Sequence, residues 1–196
     1  MQTVSIESVR KAFEGRVVLD GVSFSIEPGE TVCLMAPSGA GKTTLINILL
    51  GLLRPDSGTV TGLERASTGV VFQEDRLIED MDAVSNIRLV NTGLSRERVV
   101  GELGRMGLAG SEAQPVRELS GGMRRRVCLL RALMSGAEFL VLDEPFNGLD
   151  EDTRGIAIAR TKALAAGRPV LMVTHDPEAA ALMGARVVRL RGTAVV

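Results

Sequence analysis

A stretch near the N-terminus places a buried strand, a glycine-rich loop and an apolar helix directly after one another. It reads TVCLMAPSGAGKTTLINILLGLL over residues 31–53. The loop fits the pattern G-x-x-x-x-G-K-[ST] through Gly41, Lys42 and Thr43, although Ala36 stands where the first glycine belongs. Because Ala36 follows the strand directly, an extended chain there needs no positive φ, and we expect the replacement to do little damage. The stretch therefore predicts a phosphate-binding loop.

The residue types in this loop match the chemistry of a nucleotide triphosphate. Gly39 and Gly41 let backbone N–H groups converge on phosphate oxygens, and the new helix points its positive end at them. Lys42 is expected to reach the β- and γ-phosphates, and the Thr43 hydroxyl is expected to hold Mg²⁺. The alternative is an ordinary strand–turn–helix with a solvated lysine.

The remaining hydrophobic runs predict a parallel α/β core. The runs EFLVLDEP (138–145) and RPVLMVTHD (168–176) lack polar alternation, as do strands buried on both faces of a parallel sheet. A helical pattern between them completes a βαβ unit. Residues 4–26 alternate as β structure does, GVVF (69–72) predicts a short strand, and residues 74–132 are helical and charged.

Composition limits the protein to a few classes. A chain of 196 residues with 45% hydrophobic and 24% charged residues is neither disordered nor fibrous. The net charge of −1 argues against a nucleic-acid surface, so no nucleic-acid partner is expected. Cys33 and Cys128 lie in apolar runs, which predicts reduced, buried thiols. No signal-peptide pattern is found, and the longest apolar run is about half of a membrane span, so a membrane role would come through a partner.

Two carboxylates end the predicted strand EFLVLDEP. Asp143 and Glu144 stand at its C-terminal end, where open parallel sheets bind ligands. Asp143 is a candidate ligand of Mg²⁺ through water, and Glu144 is a candidate acceptor for a proton from an attacking water. The alternative is a helix-capping carboxylate beside an incidental glutamate.

The segment ELSGGMRRRVCLLRAL (118–133) opens a helix with a serine, two glycines and three arginines. A helix N-terminus carries partial positive charge and ordinarily attracts acidic residues. The Ser120 hydroxyl and the amides of Gly121 and Gly122 therefore predict an anion site, with the arginines 124–126 adding positive charge nearby. The alternative for each arginine is a solvated helix face.

Six short segments follow one another along the chain. They read APSGAGKTT (36–44), FQED (72–75), LSGGM (119–123), FLVLDEP (139–145), NGLD (147–150) and VTHD (173–176). In this order they resemble the Walker A, Q-loop, signature, Walker B, D-loop and switch-histidine motifs of the ATP-binding-cassette (ABC) ATPases. The resemblance spans nearly the whole chain, with Met123 in place of the usual signature glutamine.

This resemblance implies a fold and a domain plan. The fold is a P-loop NTPase of the ABC type, with a parallel-sheet α/β core, an N-terminal antiparallel β subdomain and a helical insertion. A single ABC ATPase domain is expected over residues 1–196. Residues 1–73 and 133–196 would form the nucleotide-binding core and β subdomain. The insertion would cover about 74–132 and end in the signature motif.

The resemblance also assigns site residues. Catalytic roles fall on Glu144, His175 and Gln73, and Mg²⁺ would be held by Thr43, Gln73 and Asp143. Asp150 would lie at the seam between two protomers, with helix capping as its alternative. Phe13 would stack on adenine, with a place in the core as its alternative. The ATP-binding residues would be Phe13, Ala36, Pro37, Ser38, Gly39, Ala40, Gly41, Lys42, Thr43 and Thr44, with Ser120, Gly121 and Gly122 gripping the ATP of a second copy.

The implied function is the ATP-binding and ATP-hydrolysing subunit of a membrane transporter. It would dimerise around two ATP molecules, as a homodimer, and drive a permease for small-solute import at the cytoplasmic face of the inner membrane. VVFQEDRL (70–77) resembles the nitrate/sulfonate/taurine importers, although Ile78 to Met81 stand where that branch usually has Pro-Trp. An extracytoplasmic solute-binding protein is a further implied partner. The chain ends soon after RVVRLRG, so no C-terminal regulatory domain is expected.

Three alternatives remain beside this reading. The first is a soluble ABC ATPase of repair or translation, although those usually carry two cassettes or a long coiled coil. The second is a cassette that binds nucleotide without hydrolysis, against which Glu144 and His175 argue. The third is the ATPase of an efflux or lipid-extrusion system.

Overall fold

Two β-sheets, six α-helices and a short 3₁₀ helix (Val116–Glu118) make up the protein in a computed structural model that describes residues 2–37, 39–63, 66–191 and 194–195. The larger sheet has six strands in the order β5-β6-β7-β3-β8-β9. Its members are β3 (Thr31–Met35), β5 (Thr68–Val71), β6 (Phe139–Asp143), β7 (Val170–Val173), β8 (Arg186–Arg191) and β9 (Ala194–Val195). All neighbours in it pair in parallel except β8 and β9, which are antiparallel. The predicted parallel core is confirmed.

The smaller sheet is the predicted antiparallel subdomain. It contains β2 (Arg16–Ile26), β1 (Val4–Phe13) and β4 (Ser57–Thr61), in that order across the sheet. The run after the glycine-rich loop and the segment 74–132 supply α1 (Lys42–Leu49), α2 (Ala83–Arg88), α3 (Arg96–Arg105) and α4 (Gly121–Leu133). The C-terminal part adds α5 (Glu151–Ala165) and α6 (Pro177–Met183). Helices in the segment 74–132 begin only at Ala83, later than the charged pattern indicates.

Side chains of the buried strands pack alternately into two hydrophobic clusters, one on each face of the larger sheet. Phe139 and Val141 of β6 join the cluster that also contains α1 and the antiparallel sheet. Leu140 and Leu142 join the cluster that α2 to α6 cover. Successive side chains of a strand point to opposite faces, and both faces of this sheet are covered by apolar residues. The strand runs are therefore apolar at every position.

Cys33 and Cys128 are buried free thiols, as predicted. Burial raises the pKa of Cys33 to about 11 and that of Cys128 to about 12. Within the described residues, none of the helices combines the length and the apolar character that a bilayer crossing requires.

Candidate active site

A cleft of about 560 Å³ opens at the carboxyl ends of the parallel strands. The loop after β3, the end of β6 and the end of β7 meet there, because parallel strands present their carboxyl ends at one edge of the sheet. The described lining consists of Val18, Ala36, Pro37, Gly39, Gly41, Lys42, Thr43, Thr44, Gln73, Asp143, Glu144, Asn147 and His175. The cleft thus brings together most of the predicted site residues. Val18 and Asn147 were not predicted, and Ser38 lies outside the described residues.

The loop between β3 and α1 depends on its glycines. Gly39 has φ 79° and Gly41 has φ 85°, both in the left-handed region that favours glycine. A Cβ on Gly41 would lie 2.8 Å from Cδ2 of Leu19 and 2.9 Å from the carbonyl oxygen of Val18. Ala36 has no positive φ, so the departure from the motif causes no backbone strain. Ala40 is buried and lies outside the described lining of the cleft.

Lys42 is tied to the loop that it follows. Its Nζ donates hydrogen bonds to the carbonyl oxygens of Ala36 and Pro37, both at 2.9 Å. The Lys42 ammonium is therefore held by the loop, while its side chain is only partly buried. Because the ammonium already lies inside the loop, a phosphate that enters would meet a cation held close to its binding amides.

Asp143 and Glu144 leave β6 in different environments. Asp143 is buried, and this desolvation raises the pKa of its carboxyl, with a further increase from the charge of Glu144. Glu144 has φ 44°, an uncommon value for a residue with a side chain. Its Oε2 accepts a hydrogen bond from Oγ1 of Thr174 at 3.0 Å, a residue that the sequence did not suggest.

His175 is the only histidine of the chain, and it contacts Glu144. Its Nδ1 lies 2.9 Å from Oε1 of Glu144. The hydrogen bond to Glu144 and the charge of that carboxylate raise the pKa of His175. The imidazole side chain remains 77% exposed, so its far side faces the open cleft.

The donors around the cleft fit Mg²⁺. Thr43, Gln73 and Asp143 offer a hydroxyl, an amide and a carboxylate oxygen in one lining, and Mg²⁺ prefers such ligands. No cluster of three or more His, Cys, Asp or Glu side chains with metal-binding geometry occurs in the described part of the chain. Mg²⁺ does not need one, because it is usually bound by one or two carboxylates together with waters and substrate phosphates.

The helix N-terminus at Ser120 lies outside the described lining of the cleft. Ser120 is the N-cap of α4, and its Oγ accepts a hydrogen bond from the Met123 amide at 3.3 Å. Ser120 and Gly121 are exposed. An anion bound at this helix end would therefore approach from outside this cleft.

The three arginines of α4 do not behave alike. Arg125 is buried, so the solvated-face alternative is wrong for this arginine. Arg124 donates to the carbonyl oxygen of Leu119 at 2.9 Å. Arg126 donates to the carbonyl oxygens of Met106 and Gly107, both at 3.0 Å. All three guanidinium groups hold backbone of their own chain.

Phe13 and Asp150 are placed as follows. Phe13 ends β1 and is 46% exposed, so the core alternative for Phe13 is wrong. Nζ of Lys11 lies 5.6 Å from the centroid of its ring. Asp150 is the N-cap of α5 and accepts a hydrogen bond from the Thr153 amide at 2.9 Å.

A lysine-containing loop at a helix N-terminus, with two carboxylates and a histidine on neighbouring strands, defines a P-loop nucleoside triphosphatase. Residues 19–147 match the family described as ABC transporter. The chain is 41% identical over 184 residues to the aliphatic sulfonates import ATP-binding protein SsuB 1 of Rhodococcus jostii, covering 91% of this chain and 75% of the relative. It is 36% identical to the taurine import ATP-binding protein TauB of Yersinia pestis, covering 95% and 79%.

Solved structures agree with this assignment. The dimeric post-hydrolysis state of the ATP-binding cassette MJ0796 with ADP and Pi superimposes with a TM-score of 0.86 at 29% identity, covering 98% of this chain and 96% of that one. The chain belongs to the ABC transporter family. It is an ATP hydrolase with the cassette fold of that family.

Proposed function

We propose that this protein is the ATPase subunit of a membrane importer of small solutes, in which two copies close around two ATP molecules. The arrangement that carries the proposal is the split between two anion sites. The loop at Lys42 and the Glu144–His175 pair line one cleft, whereas the Ser120 helix end lies outside its described lining. A second copy would supply the helix end that each cleft lacks. The dimeric ABC cassette among the structural relatives supports this assembly.

The predicted site residues divide the binding of Mg²⁺-ATP among them in this proposal. The loop amides and Lys42 would bind the β- and γ-phosphates, and Phe13, which lies outside the described lining of the cleft, would stack on adenine. Thr43, Gln73 and Asp143 would hold Mg²⁺, which when bound neutralises charge that develops on the phosphate oxygens. Pro37, Thr44 and the amides around Ala40 would complete the cradle.

Glu144 would act as the general base. Its carboxylate takes a proton from water, the water oxygen bonds to the γ-phosphorus, and the bond from that phosphorus to the bridging oxygen breaks. ADP and inorganic phosphate leave. The imidazole of His175, which already contacts Oε1 of Glu144, would hold the carboxylate in place and donate towards the γ-phosphate from its exposed side.

An organic sulfonate is the first candidate for the imported solute, because relatives named for sulfonate and taurine import cover most of this chain. The Nod factor export ATP-binding protein I of Ralstonia nicotianae is 38% identical, which keeps export as the second candidate. In either case the partner is a permease at the cytoplasmic face of the membrane. An importer would also use an extracytoplasmic solute-binding protein.

The Glu144→Gln variant tests the ATP-driven assembly. A general base acts only on the attacking water, so the variant should bind Mg²⁺-ATP and lose about 10² to 10⁴ in hydrolysis rate. Gel filtration should show a long-lived dimer with ATP and a monomer with ADP. The matched control is Glu138→Gln, which changes an exposed carboxylate next to the other end of β6. A Glu144→Gln protein that hydrolyses ATP at the wild-type rate would overturn the assignment.

Two further arms test the partner sites. Adding Ser120→Arg to Glu144→Gln should permit ATP binding and prevent the dimer, because the anion site of the partner is then blocked. Co-expression with a candidate permease of the sulfonate/taurine importer type should move the wild-type protein into the membrane fraction. A protein that stays in the supernatant with its permease present would contradict the transporter role and leave the ATPase assignment intact.

A further inference from the structure

The guanidinium group of Arg125 is enclosed by two loops that carry predicted catalytic residues. The side chain is 6% exposed, although arginine is rarely buried without partners. Nε donates to the carbonyl oxygen of Pro145 at 3.1 Å, and Nη2 donates to those of Asp143 at 2.5 Å and Glu144 at 2.7 Å.

The third nitrogen of the Arg125 guanidinium faces the other loop. Nη1 donates to the carbonyl oxygen of Phe72 at 2.6 Å and approaches that of Gln73 at 3.4 Å. Oδ1 of Asp75 lies 3.5 Å from the same Nη1 and balances the charge of the guanidinium.

Two of these carbonyl groups belong to the peptide units on either side of the Glu144 Cα. That Cα has φ 44°, in a region that residues with a side chain populate sparsely. The Glu144 amide donates to the carbonyl oxygen of Val173 at 2.8 Å, and its carbonyl also accepts from the Asn147 amide at 3.2 Å. Nη2 of Arg125 adds a charged donor that bridges both peptide units. Arg125 is therefore one of three groups that hold the backbone from which the Glu144 side chain leaves.

The same planar group holds the backbone at Gln73. Phe72 and Gln73 follow β5, whereas Asp143 is the last residue of β6 and Glu144 follows it. A guanidinium has donors in a fixed fork, so it sets the distance and angle between the groups that it joins. Lysine has one nitrogen on a flexible stem and would not hold both segments in this way.

We propose that Arg125 is a positioning residue for ATP hydrolysis, which fixes the backbone of Glu144 relative to that of Gln73 across the cleft. The proposal rests on the role of Glu144 as general base given above. Arg125 lies outside the described lining of the cleft and acts through the two backbone segments. It stands on α4, the helix that Ser120 caps, so one side chain connects this helix with the backbone of Glu144.

The test compares Arg125→Gln and Arg125→Lys with Arg131→Gln. Arg131 is a matched control because it lies on the same helix and also binds backbone, donating to the carbonyl oxygens of Arg76 at 2.8 Å and Asp75 at 3.2 Å. A misplacement of about 1 Å at a reacting group costs on the order of 10²-fold in rate. We expect kcat to fall by about 10- to 100-fold in both Arg125 variants, with KM for ATP within about threefold. Arg131→Gln should keep both constants within about threefold.

A double-variant cycle separates positioning from general damage to the fold. In the Glu144→Gln background the base is already absent, so Arg125→Gln should change the residual rate by less than about threefold. ATP-dependent dimer formation should persist in that double variant. A variant that merely loosened the fold would lower the residual rate and the ATP affinity as well.

The kinetics of these variants distinguish a failure of the Arg125 proposal from a failure of the general-base assignment. A folded Arg125→Gln protein with kcat within about twofold of wild type would overturn the positioning role, as would equal losses in both backgrounds. Wild-type hydrolysis by Glu144→Gln would instead overturn the general-base assignment. If Arg125→Gln does not fold, kcat is compared in the same two backgrounds with Arg125→Lys, which keeps the buried positive charge beside Asp75.

Discussion

At the scale of single residues, the contact between Glu144 and His175 changes the pH at which the imidazole of His175 loses its proton. Glu144 raises the pKa of His175 through their hydrogen bond and its charge. A raised histidine pKa means that the stabilisation from this contact is fully present below the ordinary pKa. It is lost as the pH rises through the raised value. The cleft therefore holds an imidazolium beside its carboxylate over a wider pH range than an isolated histidine would allow.

We predict that His175 titrates above 6.5 in the nucleotide-free protein, and that Glu144→Gln returns its pKa towards the ordinary value. The chain has one histidine, so proton NMR of untagged protein between about pH 5 and 9 gives a single imidazole titration. Thr174→Val is the control, because it removes the second hydrogen bond to Glu144 and keeps the carboxylate. A wild-type pKa at or below 6.5 would contradict the pairing.

Phe13 gives a second prediction at this scale. Stacking on a base is worth about 1–3 kcal/mol. Phe13→Ala should therefore raise KM for ATP on the order of tenfold, with little change in kcat, because stacking helps the ground and transition states alike. Melting should barely change, since the ring is exposed. Phe24→Ala is the contrast: Phe24 packs against the hydrophobic cluster, so its loss should lower the melting temperature and leave KM for ATP close to the wild-type value.

At the scale of elements, α5 is joined to the loop that carries His175. Nη1 of Arg154 contacts Oδ2 of Asp176 at 2.7 Å, and its Nη2 contacts Glu178. Asp176 in turn caps α6 by accepting hydrogen bonds from the amides of Glu178 at 2.9 Å and Ala179 at 3.1 Å. The helix that follows Asp150 thus holds the residue next to His175.

We predict that Arg154→Gln lowers kcat about three- to tenfold with KM for ATP little changed, because the His175 loop loses its anchor to α5. Arg160→Gln on the same helix is the control. Arg160 binds Glu102 of α3 at 2.6 and 2.7 Å, and Glu102 is buried. Its loss should reduce the melting temperature and leave kcat near the wild-type value, since the buried carboxylate would then keep only Arg105 as a charged partner. Steady-state kinetics and thermal melts distinguish the two; equal kcat losses would refute the anchor.

The elements also show what the sequence could and could not predict. The loop at Lys42 and the ends of β6 and β7 were predictable, because short motifs sit directly on buried strands that must share one sheet edge. The burial of Arg125 was missed because a run of three arginines reads as a polar helix face. A signal was available: Cys128, Leu129 and Ala132 follow it at helical spacing and are buried, which places position 125 on the same inner face.

Thr174 and the segment 74–82 illustrate a different limit. Thr174 holds Glu144 from another strand, a contact that appears only when β6 and β7 pair. Asn86 is buried and binds the carbonyl oxygens of Ile78, Met81 and Asp82, which gives the irregular segment before α2 its hydrogen bonds. Such long-range and side-chain-to-backbone contacts leave no periodic pattern in a sequence.

At the scale of the whole molecule, the ionised carboxylate of Asp143 lowers the stability of the fold, because it is buried. Asp143 ends the strand β6, which is buried along its whole length. Burial raises its pKa, so the fold favours the protonated carboxyl, and stability is lost as the pH rises through the raised value. Asp150 has the opposite sign. The hydrogen bonds from Thr153 lower its pKa, so its contribution is lost as the pH falls through the lowered value.

We predict that Asp143→Asn raises the melting temperature of the nucleotide-free protein at neutral pH, on the order of 2 °C, and abolishes Mg²⁺-dependent hydrolysis. The asparagine keeps the shape and removes a charge that the fold desolvates. The gain should shrink as the pH falls towards the raised pKa, because the wild-type carboxyl is then protonated too. Asp150→Asn should give no gain, since its charge is stabilised where it stands. Thermal melts between about pH 5 and 8 test this.

The same melts with Mg²⁺-ATP add a second arm to the Asp143 prediction. A ligand that binds only the folded state raises its stability, so the wild-type protein should gain more from Mg²⁺-ATP than Asp143→Asn does. The order of the two proteins should then reverse between the nucleotide-free and the nucleotide-bound measurement. If Asp143→Asn melts below the wild type without nucleotide, burial of the charge is not a cost in this fold. If both proteins gain equally from Mg²⁺-ATP, Asp143 does not hold the ion.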